Sequence, residues 1–148
     1  MSDTKRERII TALLLRASTI TTANGYNVNM GANVFRAIPK IDPARLPACV
    51  VYPLIETVDR IGSGKCLCTM PIRVDCLVLV GSTNPSILAE KMLGDIRKAF
   101  MGTPVASLLI EEMAYTSGGT SDYSKEDSVL VVANFTVKYF TAIKDPYT

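Results

Sequence analysis

Residues Cys66 to Val80, CLCTMPIRVDCLVLV, admit one local conformation, and the rest of the chain has to be arranged around it. Cys66, Cys68, Met70, Ile72, Val74, Cys76, Val78 and Val80 fall on one parity, while Thr69, Arg73 and Asp75 share the other with Leu67, Leu77 and Leu79. Period-two alternation of this length marks a strand with one face against a core. Pro71 has no N–H and cannot sit with both neighbours fully paired, so a bulge or an edge is expected near the middle, one that could split the run in two. At about 3.3 Å per residue an unbroken run would span roughly 50 Å, so it is expected to bend or to project beyond the body.

The chain has 148 residues, enough for one domain (1–148) with a core that needs no metal or disulfide. Its 48% apolar and 20% charged content is that of a globular protein, and a net charge of +2 gives no electrostatic case for sequence-specific nucleic-acid binding. The charges are unevenly spread. Through Arg45 there are seven basic residues (Lys5, Arg6, Arg8, Arg16, Arg36, Lys40, Arg45) against three acids (Asp3, Glu7, Asp42), whereas Glu111 to Asp127 holds five acids and only Lys125. The apolar run Ile9–Leu15 is too short for a membrane span and is followed by Arg16 with no cleavage site, which predicts a protein made and kept in a cytoplasm. Cys49, Cys66, Cys68 and Cys76 all lie in strand-like apolar runs and read as small core residues. Zinc is disfavoured by the C-x-C spacing and the absence of histidine, and disulfides by a reducing compartment.

A helix is expected over Thr4–Ser18, with Thr4 and Glu7 as a capping box and Ile9, Ile10, Leu13, Leu14 and Ala17 as its buried stripe. Its face of Lys5, Arg8 and Arg16 is either solvated or a docking surface for an acidic partner. Residues 21–32 form a loop with a turn at Asn24-Gly25, followed by a short strand over Asn33–Ile38 and a proline-broken segment to Pro47. A strand is expected from Ala48 to about Val58, joined through Gly62-Ser63-Gly64 to the long strand as a hairpin. Gly64-Lys65 is no phosphate loop: Asp59 stands where the first glycine belongs, Cys66 replaces the Ser/Thr, and a strand follows.

A second helix is expected over Pro85–Met101, capped by Asn84 and burying Leu88, Met92, Ile96, Ala99 and Phe100; Lys91 and Asp95 would pair on its wet side and Gly94 would approach the sheet. The last third reads as strands over Ser107–Tyr115 and Ser128–Ala142, separated by a polar loop, Thr116–Asp127, either functional or disordered. The expected fold is therefore α+β, a mostly antiparallel or mixed sheet with both helices on one face. Leu67, Leu77, Leu79, Leu130, Val132 and Phe140 make the other face too apolar to be left in water, which points to an oligomer. Without histidine, a nucleophile elbow or a metal constellation, no catalytic, cofactor or metal residues are assigned, and an enzyme is the weak hypothesis.

The first fifty or so residues resemble the tail-terminator (tail completion) proteins of long-tailed bacteriophages. The likeness rests on RERIITALLLRASTI, ITTANGY, GANVFR (Gly31–Arg36), a proline-broken segment ending in LPA (Leu46–Ala48), and the strand CVVYPLIE, taken in that order and spacing. The remaining hundred match only in length and element order. The resemblance implies a structural virion protein, assembled in the host cytoplasm, whose hexameric ring closes the head-proximal end of the tail tube. Its partners would be further copies, the tail tube protein and the head connector, with no membrane and no cofactor, and DNA able to pass through the lumen. A head-to-tail ring needs two complementary patches, for which the sequence offers Arg36, Lys40 and Arg45 on one side and Glu111, Glu112, Asp122, Glu126 and Asp127 on the other; the alternative is that all are solvated charges. Other readings are a different head–tail joining, neck or tube protein, or a non-viral ligand-binding domain.

Overall fold

Helix α1 (Lys5–Ala17) begins where its cap places it: the Thr4 hydroxyl accepts from the Glu7 N–H at 3.1 Å, and Ile9, Ile10, Leu13 and Ala17 are buried. Only half of the capping box forms, because the Glu7 carboxylate accepts from Arg36 instead. The computed structural model describes residues 2–120 and 127–148, with the backbone alone for Arg60 and Ile61. Within these residues the chain continues through β1 (Val34–Arg36), β2 (Ala48–Pro53), β3 (Thr57–Gly62), β4 (Lys65–Leu79), α2 (Pro85–Met101), β5 (Glu112–Gly119) and β6 (Ser128–Ala142). The strands form one sheet in the order β1-β2-β4-β6-β5, with β3 also paired to β4. Only β1 and β2 run parallel among the described pairs, so the fold is α+β on a mixed sheet.

The long strand stays whole, and it is its neighbour that divides. β4 pairs with β6 along all of Lys65–Leu79, while its other side is shared by β3, opposite Lys65–Thr69, and β2, opposite Ile72–Leu77. Pro71 lies at the gap between them, where no partner strand asks for the N–H it lacks, and its carbonyl accepts from Leu54 N–H at 2.9 Å. The strand expected from Ala48 to Val58 therefore breaks after Pro53, and residues 54–56 cross over. The hairpin turn into β4 is a two-residue one, with Ser63 and Gly64 at φ 54° and 74°.

Cys68, Met70, Ile72, Val74 and Cys76 of β4 and Val131, Ala133, Phe135 and Val137 of β6 face both helices and form one core with Ile9, Leu13, Met92, Ile96 and Phe100. Phe135 stacks at a tilt between Phe100 and Tyr115, with ring centroids 5.3 and 5.6 Å apart. Each such fully buried aliphatic or aromatic side chain contributes about 1.5–3 kcal/mol of transfer free energy. The thiols of Cys49, Cys68 and Cys76 are buried in this face and Cys66 is half-buried beside them, all four free.

Two expectations for α2 are corrected. Asp95 is not on the wet side with Lys91 but 2% exposed, its carboxylate accepting from the Asn27 and Val28 N–H groups and from Asn27 Nδ2. Gly94 is exposed with open space around it and makes no close approach to the sheet. Two more concern the last third. β5 starts at Glu112 rather than Ser107 and continues through Gly119, into residues that read as loop. It does so by a bulge between Tyr115 and Ser117, where Thr116 Oγ1 donates to Asn134 O at 3.0 Å and holds the pairing across the irregularity.

Candidate interaction surfaces

The face of the sheet away from the helices is not uniformly apolar. Leu67 and Phe140 are cross-strand partners at one end, and Leu77, Leu79, Leu130 and Val132 cluster at the other; between them lies a band of Thr69, Arg73, Asn134 and Lys138. Arg73 sits over the Tyr52 ring at 4.3 Å and donates to Asp75 at 3.0 Å. Burial raises the Asp75 carboxyl pKa while the Arg73 charge pulls it down. Residues 37–47 fold across β2 on this side: the Tyr52 hydroxyl donates to Ile38 O at 2.8 Å, and Val50, whose parity points away from the helices, is fully buried. Between this segment and the Leu77–Leu79 patch runs a groove of about 490 Å³, lined by Pro39, Ile41 and Pro43 on one wall and Leu130 on the other, with Lys40 and Asp127 on its rim.

The crossover at residues 54–56 is held more firmly than its length suggests. Arg6 donates to Leu54 O at 2.6 Å and pairs with Glu56 at 3.3 Å, and the same Glu56 carboxylate accepts from the Tyr139 hydroxyl. The Tyr139 phenol is pushed up by burial first and by Glu56 second. Cys68 beside it is pushed up to about 12 by burial, by Cys66 and by the Glu56 charge, so its thiol stays protonated at neutral pH and is a poor nucleophile or metal ligand. Among the described residues no three His, Cys, Asp or Glu side chains come together to hold a metal. No helix among them is long and apolar enough to cross a membrane.

The charged residues singled out from sequence divide as follows. Arg36 is occupied within its own chain, its guanidinium donating to both Glu7 oxygens at 2.6 and 2.9 Å. Arg45 is exposed over the Phe35 ring at 5.8 Å, and Lys40 is exposed; both lie on the segment that follows edge strand β1. Glu111 and Glu112 are exposed at the start of β5, the opposite edge strand. Asp127 is exposed beside the groove that Lys40 also borders, so these two lie on one surface of one chain rather than on opposed ones. Asp122 and Glu126 lie outside the described residues. Arg16, expected on a solvated or docking face, instead donates to the Ala99, Thr103 and Pro104 carbonyls and closes the end of α2.

The Arg36–Glu7 pair yields a pH prediction. Its hydrogen bonds to Arg36 hold the Glu7 carboxyl below its ordinary value of 4.5. A carboxyl depressed by folding contributes stability that is present above the unfolded value and lost as pH falls through the folded one. The pair is a third or more exposed, so its contribution is below about 1 kcal/mol. Urea midpoints of wild type and Arg36→Ala should therefore differ slightly at pH 7 and converge as the pH falls below the ordinary carboxyl range; a gap that persists in strong acid would mean that Arg36 acts through packing.

No protein-family model matches the chain, and no curated protein matches it.

Proposed function

We propose that this protein is a structural subunit of a long-tailed phage particle that assembles head to tail into a ring, of six copies by the family's pattern, on the head-proximal end of the tail tube. There it ends tube growth and offers a surface to the head connector. The observation that carries this reading is the polarity of the sheet's two edges: Lys40 and Arg45 follow β1 and have no ion-pair partner among the described residues, while Glu111 and Glu112 sit exposed on β5 at the far edge. Complementary patches on opposite edges are what a repeating heterologous contact requires. The half-exposed Leu77, Leu79, Leu130 and Val132 patch supplies a further apolar surface for tube or connector. The likeness of the first fifty residues to tail terminators supports the particle and the place.

The test is the mass of the purified protein by light scattering over a concentration series at low and high salt, followed by addition of purified tail tubes. A hexamer whose formation weakens with salt, and which halts tube elongation, is the expected result. Reversal of Glu111 and Glu112 to Lys should weaken assembly by about tenfold and invert its salt dependence. Association with tubes that leaves elongation unchanged would make the protein a different neck or tube component. Absence of any association with itself or with tubes would sink the reading.

A further inference from the structure

An exposed aliphatic side chain on firmly anchored backbone can be buried by a partner with little further loss of conformational freedom. Ile55 is 85% exposed and its neighbour Leu54 39% exposed, at the tip of a three-residue crossover tied down by Arg6, Glu56, Tyr139 and the Pro71 carbonyl. Four polar contacts from three partners outside the crossover, Arg6, Tyr139 and Pro71, thus hold one side chain out in water. At the opposite edge of the sheet, where α2 ends and β5 begins, lies a pocket of about 350 Å³ floored by Phe100, Val105, Ile110 and Met113. Its wall at Pro104 is held by Arg16, and Glu111 and Glu112 stand on its rim.

The two features lie on one row of the sheet. The crossover is opposite Pro71, Pro71 pairs with Thr136, and Thr136 pairs with Ala114, next to Met113 of the pocket. Displacing one molecule along that row carries its crossover to the neighbour's pocket. The pocket's rim is acidic, while Arg6 beside the crossover is already paired with Glu56 and the β1 edge on the crossover's side of the sheet carries the exposed Arg45 without an ion-pair partner among the described residues. We infer that Ile55 of one copy inserts into the pocket beside Met113 of the next, making the apolar centre of a heterologous contact between copies of this chain. This deepens the proposed ring and rests on it for the closure of the array, while the contact itself requires only a second copy.

The experiment uses two substitutions at exposed positions, Ile55→Asp to remove the knob and Ser107→Trp to fill the pocket, with mass read by sedimentation. Each variant alone should lose self-association by about tenfold or more. Mixed, they should form a one-to-one dimer and nothing larger, because only the knob of one and the pocket of the other remain. Wild-type association in either variant, or a mixture that behaves as the variants do separately, overturns the contact. Where free wild type stays monomeric, the Ile55→Cys/Ser107→Cys double variant at high concentration decides. An intermolecular disulfide ladder, missing from each single variant, supports the contact, and no ladder overturns it, since β4, β6 and β5 separate the two positions within one chain. Tube capping reads the proposed function independently. A ladder without capping leaves the contact and removes the tail reading, whereas Ile55→Asp protein that caps like wild type does the reverse.

Discussion

Gly31→Ala should destabilise the protein by about 3 kcal/mol or more, the upper end for a single added methyl group. A Cβ at this position would stand 2.6 Å from Ala17 O, 2.7 Å from Ser18 O and 2.9 Å from Ile20 N. All three are backbone atoms at the end of α1, and none can swing aside as a side-chain tip would. The Gly31 N–H donates to Ile20 O at 2.8 Å, so the two segments are already in hydrogen-bonded contact and any retreat breaks that bond. The clash therefore has to be relieved by moving the whole 22–32 loop away from the helix. That would open the space filled by Met30, which is fully buried. Thermal unfolding is the direct measurement: at about 2–4 °C per kcal/mol for a chain of this size, a fall of roughly 6–12 °C is expected. A melting temperature within 2 °C or so of wild type would show that the loop yields freely.

Asp95→Ala should cost about 3 kcal/mol by a different route. Removing the carboxylate leaves the Asn27 and Val28 N–H groups without their acceptor, at distances now of 2.8–3.1 Å, in a place where the carboxylate itself is 2% exposed. An abandoned buried donor costs about 1–3 kcal/mol, and hydrogen bonds to a charged acceptor are the stronger kind. Asp95→Asn separates charge from shape. It keeps the volume and one oxygen but turns an NH₂ toward a backbone N–H, so it should lose about half as much in urea denaturation. Equal losses in the two variants would point to the charge, and a negligible loss in both to a loop that finds water instead. Lys98 works beside Asp95, donating to Gly25 O at 3.2 Å and lying 4.7 Å from the Tyr26 ring, so a single turn of α2 holds the loop that Gly31 seats against α1.

Gly31 lies in the stretch that carries the likeness to tail terminators and Asp95 lies outside it, and the local sequence announces the structural role of neither. Asp95 was visible in principle: Leu88, Met92, Asp95 and Ala99 fall at i, i+4, i+7 and i+11, squarely on the buried stripe. Pairing it with Lys91 gave the local i,i+4 rule priority over the position on the stripe. Arg36 misled in the opposite sense, since nothing local announces that Glu7, 29 residues earlier, will take its charge.

What the chain's own order of residues determined is the set of elements whose signals repeat. α2 runs over Pro85–Met101 and β6 over Ser128–Ala142 as expected, and β4 alternates without interruption, because apolar periodicity and caps act within a few residues of one another. Only the tertiary structure decided where β2 gives way to β3, that β1 runs parallel to β2, that β5 extends through Thr116–Gly119, and that Ile55 stands out at one edge while a pocket opens at the other. Each of these depends on which strand lies alongside. Hydrogen-bond donors in β5 are satisfied by β6 whatever their own propensity, and Pro71 is tolerated because two different neighbours meet beside it. Such partners are tens of residues away along the chain, and local residue order contains no term for them.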